Sequence, residues 1–216
     1  MGINPLLSKH IKTLEEKDML TSILEKNKVA LIHGESGSGK TVFAIKHLND
    51  NKIIPILVDF DDNCQQEMKE NGLETIIVDG YTFMKEILDI GKGKDLRDSI
   101  SGSVLIIDTW TLFCKEMDYD EHQAIDMINK LSNSGFTIII LAHTKPFSGK
   151  EDVPDVDGKV YRHIKSRFYI RRTTLKSQIE YDLIIEKARG YKGKKIISLR
   201  VETRDTGAWQ WNEKKH

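Results

Sequence analysis

Apolar runs of strand length alternate with helical patterns along most of the chain. Val104-Leu105-Ile106-Ile107 is continuously apolar and the stretch from Phe136 to Ala142 is apolar except for Thr137, as in strands buried on both faces. The same alternation predicts further strands over 28–33, 53–60 and 74–78, and helices over 40–49, 64–71, 82–90 and 121–132. The pattern therefore predicts an α/β fold with a central, mostly parallel sheet flanked by helices.

Both ends of the chain depart from this alternation. Residues 5–26 form an amphipathic helical lead-in, so we divide the chain into a lead-in over 1–27 and one α/β domain over 28–216. The lead-in packs on its own domain or on a neighbouring subunit, which periodicity cannot decide. Residues 143–160 are polar and predict a long loop, whereas 181–188, 194–202 and 208–211 predict strands in an antiparallel extension.

A glycine-rich segment between the first predicted strand and helix carries the clearest chemical signal. It fits the pattern G-x-x-x-x-G-K-[ST] with the residues Gly34, Glu35, Ser36, Gly37, Ser38, Gly39, Lys40 and Thr41. Such a loop cradles phosphates with backbone N–H groups at a helix N-terminus. The motif predicts binding of a nucleoside triphosphate, with Lys40 on the β- and γ-phosphates and the Thr41 hydroxyl on Mg²⁺.

Asp108 follows the apolar run 104–107 and is the predicted second magnesium ligand. It stands at the carboxyl end of a buried strand, where open α/β sheets bind their ligands. Thr109 follows it rather than a glutamate, so the base that activates water must come from elsewhere. Asp59, Asp61 and Asp62 are candidates, and strand alternation puts Asp59 and Asp61 on the same side. The alternative is that Asp61, Asp62 and Asn63 cap the next helix.

Three further polar residues follow predicted strands. His143 is either a sensor of the γ-phosphate or an ordinary histidine at a strand end. Lys187 and Arg189 are either paired cations that reach a phosphate, supplied in cis or in trans, or part of a charged strand edge.

Taken in order, these motifs resemble the RecA/DnaB superfamily of P-loop ATPases, with RepA-type hexameric helicases and RecA-like phage recombination ATPases as the nearest likeness. The resemblance spans about residues 28–205 and implies a RecA-like core. It places Asp61 where the family has a catalytic glutamate, although aspartate is one methylene shorter. It also implies that Lys187 and Arg189 act on ATP held by the adjacent subunit of a ring or filament.

The resemblance further implies that two loops, about 112–120 and 144–162, face DNA. The first loop is mostly acidic, whereas the second leads into a run of cations and aromatic residues over 161–172. Cations with interleaved aromatic rings suit single-stranded nucleic acid. The alternative is a basic face of a strand or helix that pairs with acidic neighbours or with nucleotide.

Bulk properties add little to this expectation. The 216 residues carry 33 lysines plus arginines and 33 aspartates plus glutamates, which neither favours nor excludes nucleic acid. Two separated cysteines and the lack of a long apolar stretch predict a cytoplasmic protein without a membrane segment. We expect an ATP hydrolase that acts on DNA as a helicase motor or a recombination or annealing factor. The alternatives are a KaiC-like regulatory ATPase with a protein partner and, less well supported, a nucleotide kinase.

Overall fold

The computed structural model describes residues 21–62, 64–89, 93–145, 153–175, 178–188, 195–202 and 209–211. Residues 21–27 are helical and are labelled α1. Ile23 and Leu24 of α1 are buried in the core, so this end of the predicted lead-in packs on its own domain. The lead-in before residue 21 lies outside the described residues.

The remaining elements alternate as strand and helix through the first two thirds of the chain. The strands are β1 (Val29–Gly34), β2 (Ile56–Asp59), β3 (Ile76–Asp79), β4 (Val104–Asp108), β5 (Thr137–Lys145), β6 (Val153–Pro154), β7 (Ser166–Leu175), β8 (Gln178–Lys187), β9 (Lys195–Glu202) and β10 (Trp209–Trp211). The helices are α2 (Lys40–Asp50), α3 (Cys64–Glu70), α4 (Gly80–Leu88), α5 (Lys94–Ser99), α6 (Trp110–Glu116), α7 (Glu121–Asn133) and α8 (Gly158–His163).

One sheet joins the strands in the order β10-β9-β8-β7-β1-β5-β4-β2-β3, with β6 paired to β5. From β3 to β7 along this order every pairing is parallel, and β7 to β10 are antiparallel. The predicted α/β fold, with a mostly parallel sheet and a C-terminal antiparallel extension, is confirmed. Since β1, β5 and β4 are neighbours, their carboxyl ends lie side by side at one edge of the sheet.

Side-chain alternation along β1 divides the core into two layers. Ala30 and Ile32 pack with the apolar residues of α2 on one face of the sheet. Leu31 belongs to a second cluster that includes side chains from α4, α6 and α7 on the other face. Both faces of the central strands are therefore covered, which explains why the middle of each strand is apolar.

Three sequence predictions need correction. The expected loop over 143–160 contains the end of β5, strand β6 and the start of α8, and residues 146–152 lie outside the described residues. The expected DNA-facing loop over 112–120 begins inside helix α6. Strand β2 begins at Ile56 rather than residue 53, since Pro55 has no N–H for a sheet hydrogen bond.

The basic run over 161–172 is the main element that the apolar pattern missed. It contains the end of α8 and most of β7, which pairs with β1 in parallel. Phe168 and Ile170 fill the core while Arg171 and Arg172 are exposed, so the charged residues hid a central strand. Over the described residues, no helix combines the length and apolar character needed to cross a bilayer.

Candidate nucleotide site

The glycine-rich loop joins the carboxyl end of β1 to the N-terminus of α2. Gly37 and Gly39 have φ angles of 69° and 77°, in the left-handed region that glycine adopts without a steric penalty. The Ser38 N–H donates to the Glu35 carbonyl at 3.1 Å, and Gly39 is the N-terminal cap of α2. The loop is therefore a compact turn that presents the start of a helix, as phosphate binding requires.

Gly34 fits against strand β7 without space for a side chain. A Cβ at this position would lie 2.5 Å from the Ile170 carbonyl oxygen and 2.7 Å from Ser38 Oγ. Ser38 is buried, and its hydroxyl has no hydrogen-bond partner within the part of the chain that the structure describes. An unsatisfied buried hydroxyl inside the loop is a group available to a bound phosphate.

The Lys40 side chain folds back over the loop. Its Nζ donates to the carbonyl oxygens of Glu35 at 2.9 Å and Gly34 at 3.2 Å, and lies 3.4 Å from Nδ1 of His143. Burial lowers the pKa of Lys40 to about 8, an effect that the charge of Asp108 partly opposes. A buried ammonium held mainly by neutral carbonyls is suited to accept an anionic ligand.

Thr41 and Asp108 meet at the edge of the sheet, although 67 positions separate them in the sequence. The Thr41 hydroxyl donates to Asp108 Oδ2 at 2.6 Å. Burial raises the pKa of Asp108, while the Thr41 hydrogen bond and the charge of Lys40 lower it. The thiol of Cys64 also lies 3.8 Å from Asp108 Oδ2.

This hydroxyl–carboxylate pair fits Mg²⁺. The ion prefers oxygen ligands and usually takes one or two from the protein, the rest coming from water and phosphate. In the described part of the chain, no group of three histidine, cysteine or acidic side chains could hold a metal by itself. The donor set therefore suits a magnesium ion delivered with a nucleotide rather than a closed metal site.

The three aspartates after β2 differ in environment. The buried Asp59 carboxylate accepts the N–H groups of Asp61 at 3.0 Å and Cys64 at 3.3 Å, so it caps the turn into α3. Strand alternation does not extend to Asp61 as expected from the sequence, because β2 ends at Asp59. Asp61 and Asp62 are exposed, and Asn63 lies outside the described residues.

His143 lies beside the loop, in register with Gly34. Burial and the nearby Lys40 ammonium lower its pKa, while Asp108 and Asp61 act in the opposite sense. The lowered pKa keeps the His143 imidazole neutral at pH 7. Asp61 lies close enough to His143 to influence that pKa. The His143 carbonyl accepts the Asp155 N–H at 2.7 Å, which connects this strand end to the segment 153–163.

Lys187 lies away from the loop of its own chain. It is exposed at the end of β8 and pairs in register with Arg167, three residues before Ile170, which pairs with Gly34. At about 3.3 Å per residue, this places Lys187 roughly 10 Å along the strands from the level of the loop, with β7 between them. Arg189 lies outside the described residues.

Several arginines of the basic run have partners within the chain. Arg171 forms an ion pair with Asp182 at 2.7 Å, and Arg172 donates to the Gly37 carbonyl in the phosphate loop at 3.2 Å. The Arg167 guanidinium lies 4.1 Å from the centroid of the Tyr161 ring. Much of the charge that indicated nucleic acid thus holds β7 to its neighbours, and Arg172 reaches the nucleotide loop.

A second polar cluster, which sequence reasoning missed, lies next to the loop. Nε2 of His33 is 2.8 Å from Glu186 Oε2, which also accepts the Tyr161 hydroxyl at 2.6 Å. We call His33, Tyr161 and Glu186 the junction cluster. His33 and Glu186 are 153 positions apart, so local spacing carries no signal for the pair. The one available cue is a histidine directly before a glycine-rich loop.

No protein-family model matches this sequence, and no curated protein matches it. Solved structures do match by fold. One is a KaiC-like protein, PH0186, from the hyperthermophilic archaeon Pyrococcus horikoshii OT3, with a TM-score of 0.56 and 15% identity over 79% of this chain and 84% of that one. Another is the flagellar accessory protein FlaH from Methanocaldococcus jannaschii, with a TM-score of 0.51 and 12% identity over 78% and 84%. The fold is thus the RecA-like P-loop fold that the motif order predicted.

Proposed function

We propose that this chain is a magnesium-dependent ATP hydrolase. The observation that carries the proposal is the convergence of Lys40, Thr41 and Asp108 around the glycine-rich loop, from the start of α2 and the carboxyl end of β4. The RecA-like fold supports the same activity, since its topology brings these strand ends together.

Each residue has a role that follows from its chemistry. The loop and the N-terminus of α2 bind the phosphates, and the Lys40 ammonium exchanges its carbonyl partners for phosphate oxygens. Thr41 and Asp108 hold Mg²⁺, which supplies positive charge to the β- and γ-phosphates when bound. Asp61 is the proposed base that orients the attacking water, because Asp59 is committed to its cap. His143 contacts Lys40 and reports the state of the γ-phosphate to residues 153–163.

We further propose that the site is completed by a second copy of the chain. Lys187 is exposed and displaced from its own loop, as a cation that serves a neighbour must be. Lys187 and Arg189 would stabilise the charge that develops during phosphoryl transfer in the adjacent subunit. This arrangement requires a ring or a filament.

The proposed target of this ATPase is single-stranded DNA, on which it acts as a helicase motor or a recombination or annealing factor. Arg162, His163 and Lys165 are exposed at the junction of α8 and β7, on the segment that His143 leads into. Cations on a segment coupled to the nucleotide site would let DNA and ATP influence each other.

A regulatory ATPase of KaiC-like kind, with a protein partner, is the second candidate. The observation that favours it is the engagement of Arg167, Arg171 and Arg172 within the chain, which reduces the charge available to DNA phosphates. A nucleotide kinase is a weaker third possibility, and it would turn over only with a phosphate acceptor.

Steady-state ATP hydrolysis with and without single-stranded DNA, at low and moderate salt, tests these proposals. We expect magnesium-dependent hydrolysis that DNA stimulates and that salt weakens, because phosphate contacts release counterions. Hydrolysis without stimulation or DNA binding would favour the regulatory role. Absence of hydrolysis by the wild-type chain under every condition would overturn the ATPase proposal.

A further inference from the structure

The junction cluster has no role in the hydrolysis described above, yet each member adjoins a part of the site. His33 directly precedes Gly34, whose carbonyl accepts Lys40 Nζ. Tyr161 lies on α8, in the segment whose Asp155 N–H bonds the His143 carbonyl. Glu186 directly precedes Lys187, the proposed trans-acting cation. The Oε2 atom of Glu186 thus connects three segments, each of which adjoins a residue of the proposed hydrolytic site.

The cluster is held tightly enough to transmit small movements. His33 is 0% exposed and its ring centroid lies 5.2 Å from that of Tyr169, so the imidazole has little room to rotate. On the far side of Tyr161, the Arg167 guanidinium covers the ring and donates to the Tyr161 carbonyl at 3.0 Å. Close-packed groups of this kind switch between discrete arrangements rather than deform gradually.

The electrostatics of the cluster favour an ionised Glu186. Burial raises the pKa of this carboxyl, but the His33 hydrogen bond and charge, the Tyr161 hydroxyl and the Arg167 guanidinium together lower it below its ordinary value. A charged acceptor makes shorter and stronger hydrogen bonds than a neutral one. The hydrogen bonds from His33 and Tyr161 therefore hold these two side chains strongly to Glu186.

We propose that Glu186 is a positioning residue that sets the strand end bearing Lys187 relative to the phosphate loop and to residues 153–163. This inference rests on the proposed ATPase function and extends it. A shift of His143 on contact with the γ-phosphate moves residues 153–163 through the Asp155 hydrogen bond, and Tyr161 carries that movement to Glu186. The cation offered to the neighbouring subunit thereby responds to the nucleotide held in its own chain.

The test measures kcat and KM for ATP in Glu186→Ala, Glu186→Gln and a matched control, Glu86→Ala, whose glutamate is exposed on α4. We expect Glu186→Ala to lower kcat by at least about tenfold, because small misplacement of a catalytic group costs up to about 100-fold, with KM changed by less than about twofold. Glu186→Gln retains an acceptor oxygen and the shape of the side chain. It should lower kcat by only about threefold, whereas Glu86→Ala should leave kcat at the wild-type value.

Far-UV circular dichroism at the assay temperature shows whether each variant is folded. If Glu186→Ala does not fold, Glu186→Gln decides, and we then expect about a threefold lower kcat at unchanged KM. A kcat equal to wild type in every Glu186 variant that folds overturns the proposal, and so does a loss of kcat accompanied by a parallel rise in KM. A wild-type chain that hydrolyses no ATP overturns the proposed function itself, an outcome visible before any Glu186 variant is made.

Discussion

Two polar clusters flank the end of β1, and they are built in opposite ways. Around Lys40 and Asp108, burial works against the charged forms: it lowers the pKa of the lysine and raises that of the aspartate. In the junction cluster, the surroundings of Glu186 favour its charge. The first cluster is electrostatically incomplete without a ligand, whereas in the second the chain itself stabilises the charge of Glu186. This difference distinguishes residues that bind a ligand, such as Lys40, from residues that position neighbouring segments, such as Glu186.

Replacing Lys40 should give the largest effect, because it removes the cation that the incomplete cluster reserves for phosphate. We expect Lys40→Met to lower ATP turnover by about 100- to 1,000-fold, the range found when one preorganised donor to a transition state is lost. Lys46→Met on the same helix is the control, since Lys46 is half-buried and forms an ion pair with Asp50 one turn along the helix. Equal ATP turnover in the two variants would show that Lys40 does not act in the nucleotide site.

The stability of the nucleotide-free chain should depend on pH through Lys40. Its pKa is about 8 in the folded chain and ordinarily 10.5, so between these values the unfolded chain binds more protons and the free energy of unfolding rises with pH. Below about pH 8 both states are protonated and the full cost of burying the charge remains. The expected gain is about 2.5 kcal/mol between about pH 7 and pH 10.

Urea unfolding of wild type and Lys40→Met at both pH values measures this gain. The difference in unfolding free energy between the two proteins isolates Lys40 from the other groups that titrate above pH 8. A difference that does not change with pH would mean that the ammonium is better solvated than its burial indicates, and the contrast between the clusters would disappear.

The smallest expected effect comes from a substitution in the junction cluster. Tyr161→Phe removes one hydrogen bond to Glu186 and should lower the free energy of unfolding by about 1–2 kcal/mol. The matched control is Tyr81→Phe, where an exposed hydroxyl accepts from Lys85 at 3.3 Å and the expected loss is below about 0.5 kcal/mol. Equal losses in both variants would show that the junction cluster contributes no more than a surface contact.

Local patterns were sufficient for most of the parallel half of the sheet. The apolar runs over 104–107 and 136–142 became β4 and β5, and the helical patterns after β1 and β4 became α2 and α7. The glycine-rich loop and Asp108 were found because their residues follow directly on such strands. Prediction succeeded where the burial of an element and the chemistry at its end are encoded within a few consecutive residues.

Prediction failed where distant contacts decide the structure. Strand β7 looked like a nucleic-acid segment because its arginines outweighed Phe168 and Ile170, and only the pairing with β1 makes those two residues central. The capping role of Asp59 depends on where β2 stops, which the apolar pattern does not show. The junction cluster joins β1 to β8 across 153 positions, so no local window contains both members.

The close approach of Gly34 to the Ile170 carbonyl also has a mechanical consequence. With no free space behind the first residue of the loop, the loop cannot retreat toward β7 when a charged ligand arrives. A force that the ligand exerts on the loop acts instead on β7 and, through the hydrogen-bonded pairing of the two strands, on β8. The missing side chain thus lets the first residue of the loop lie directly against a central strand of the sheet.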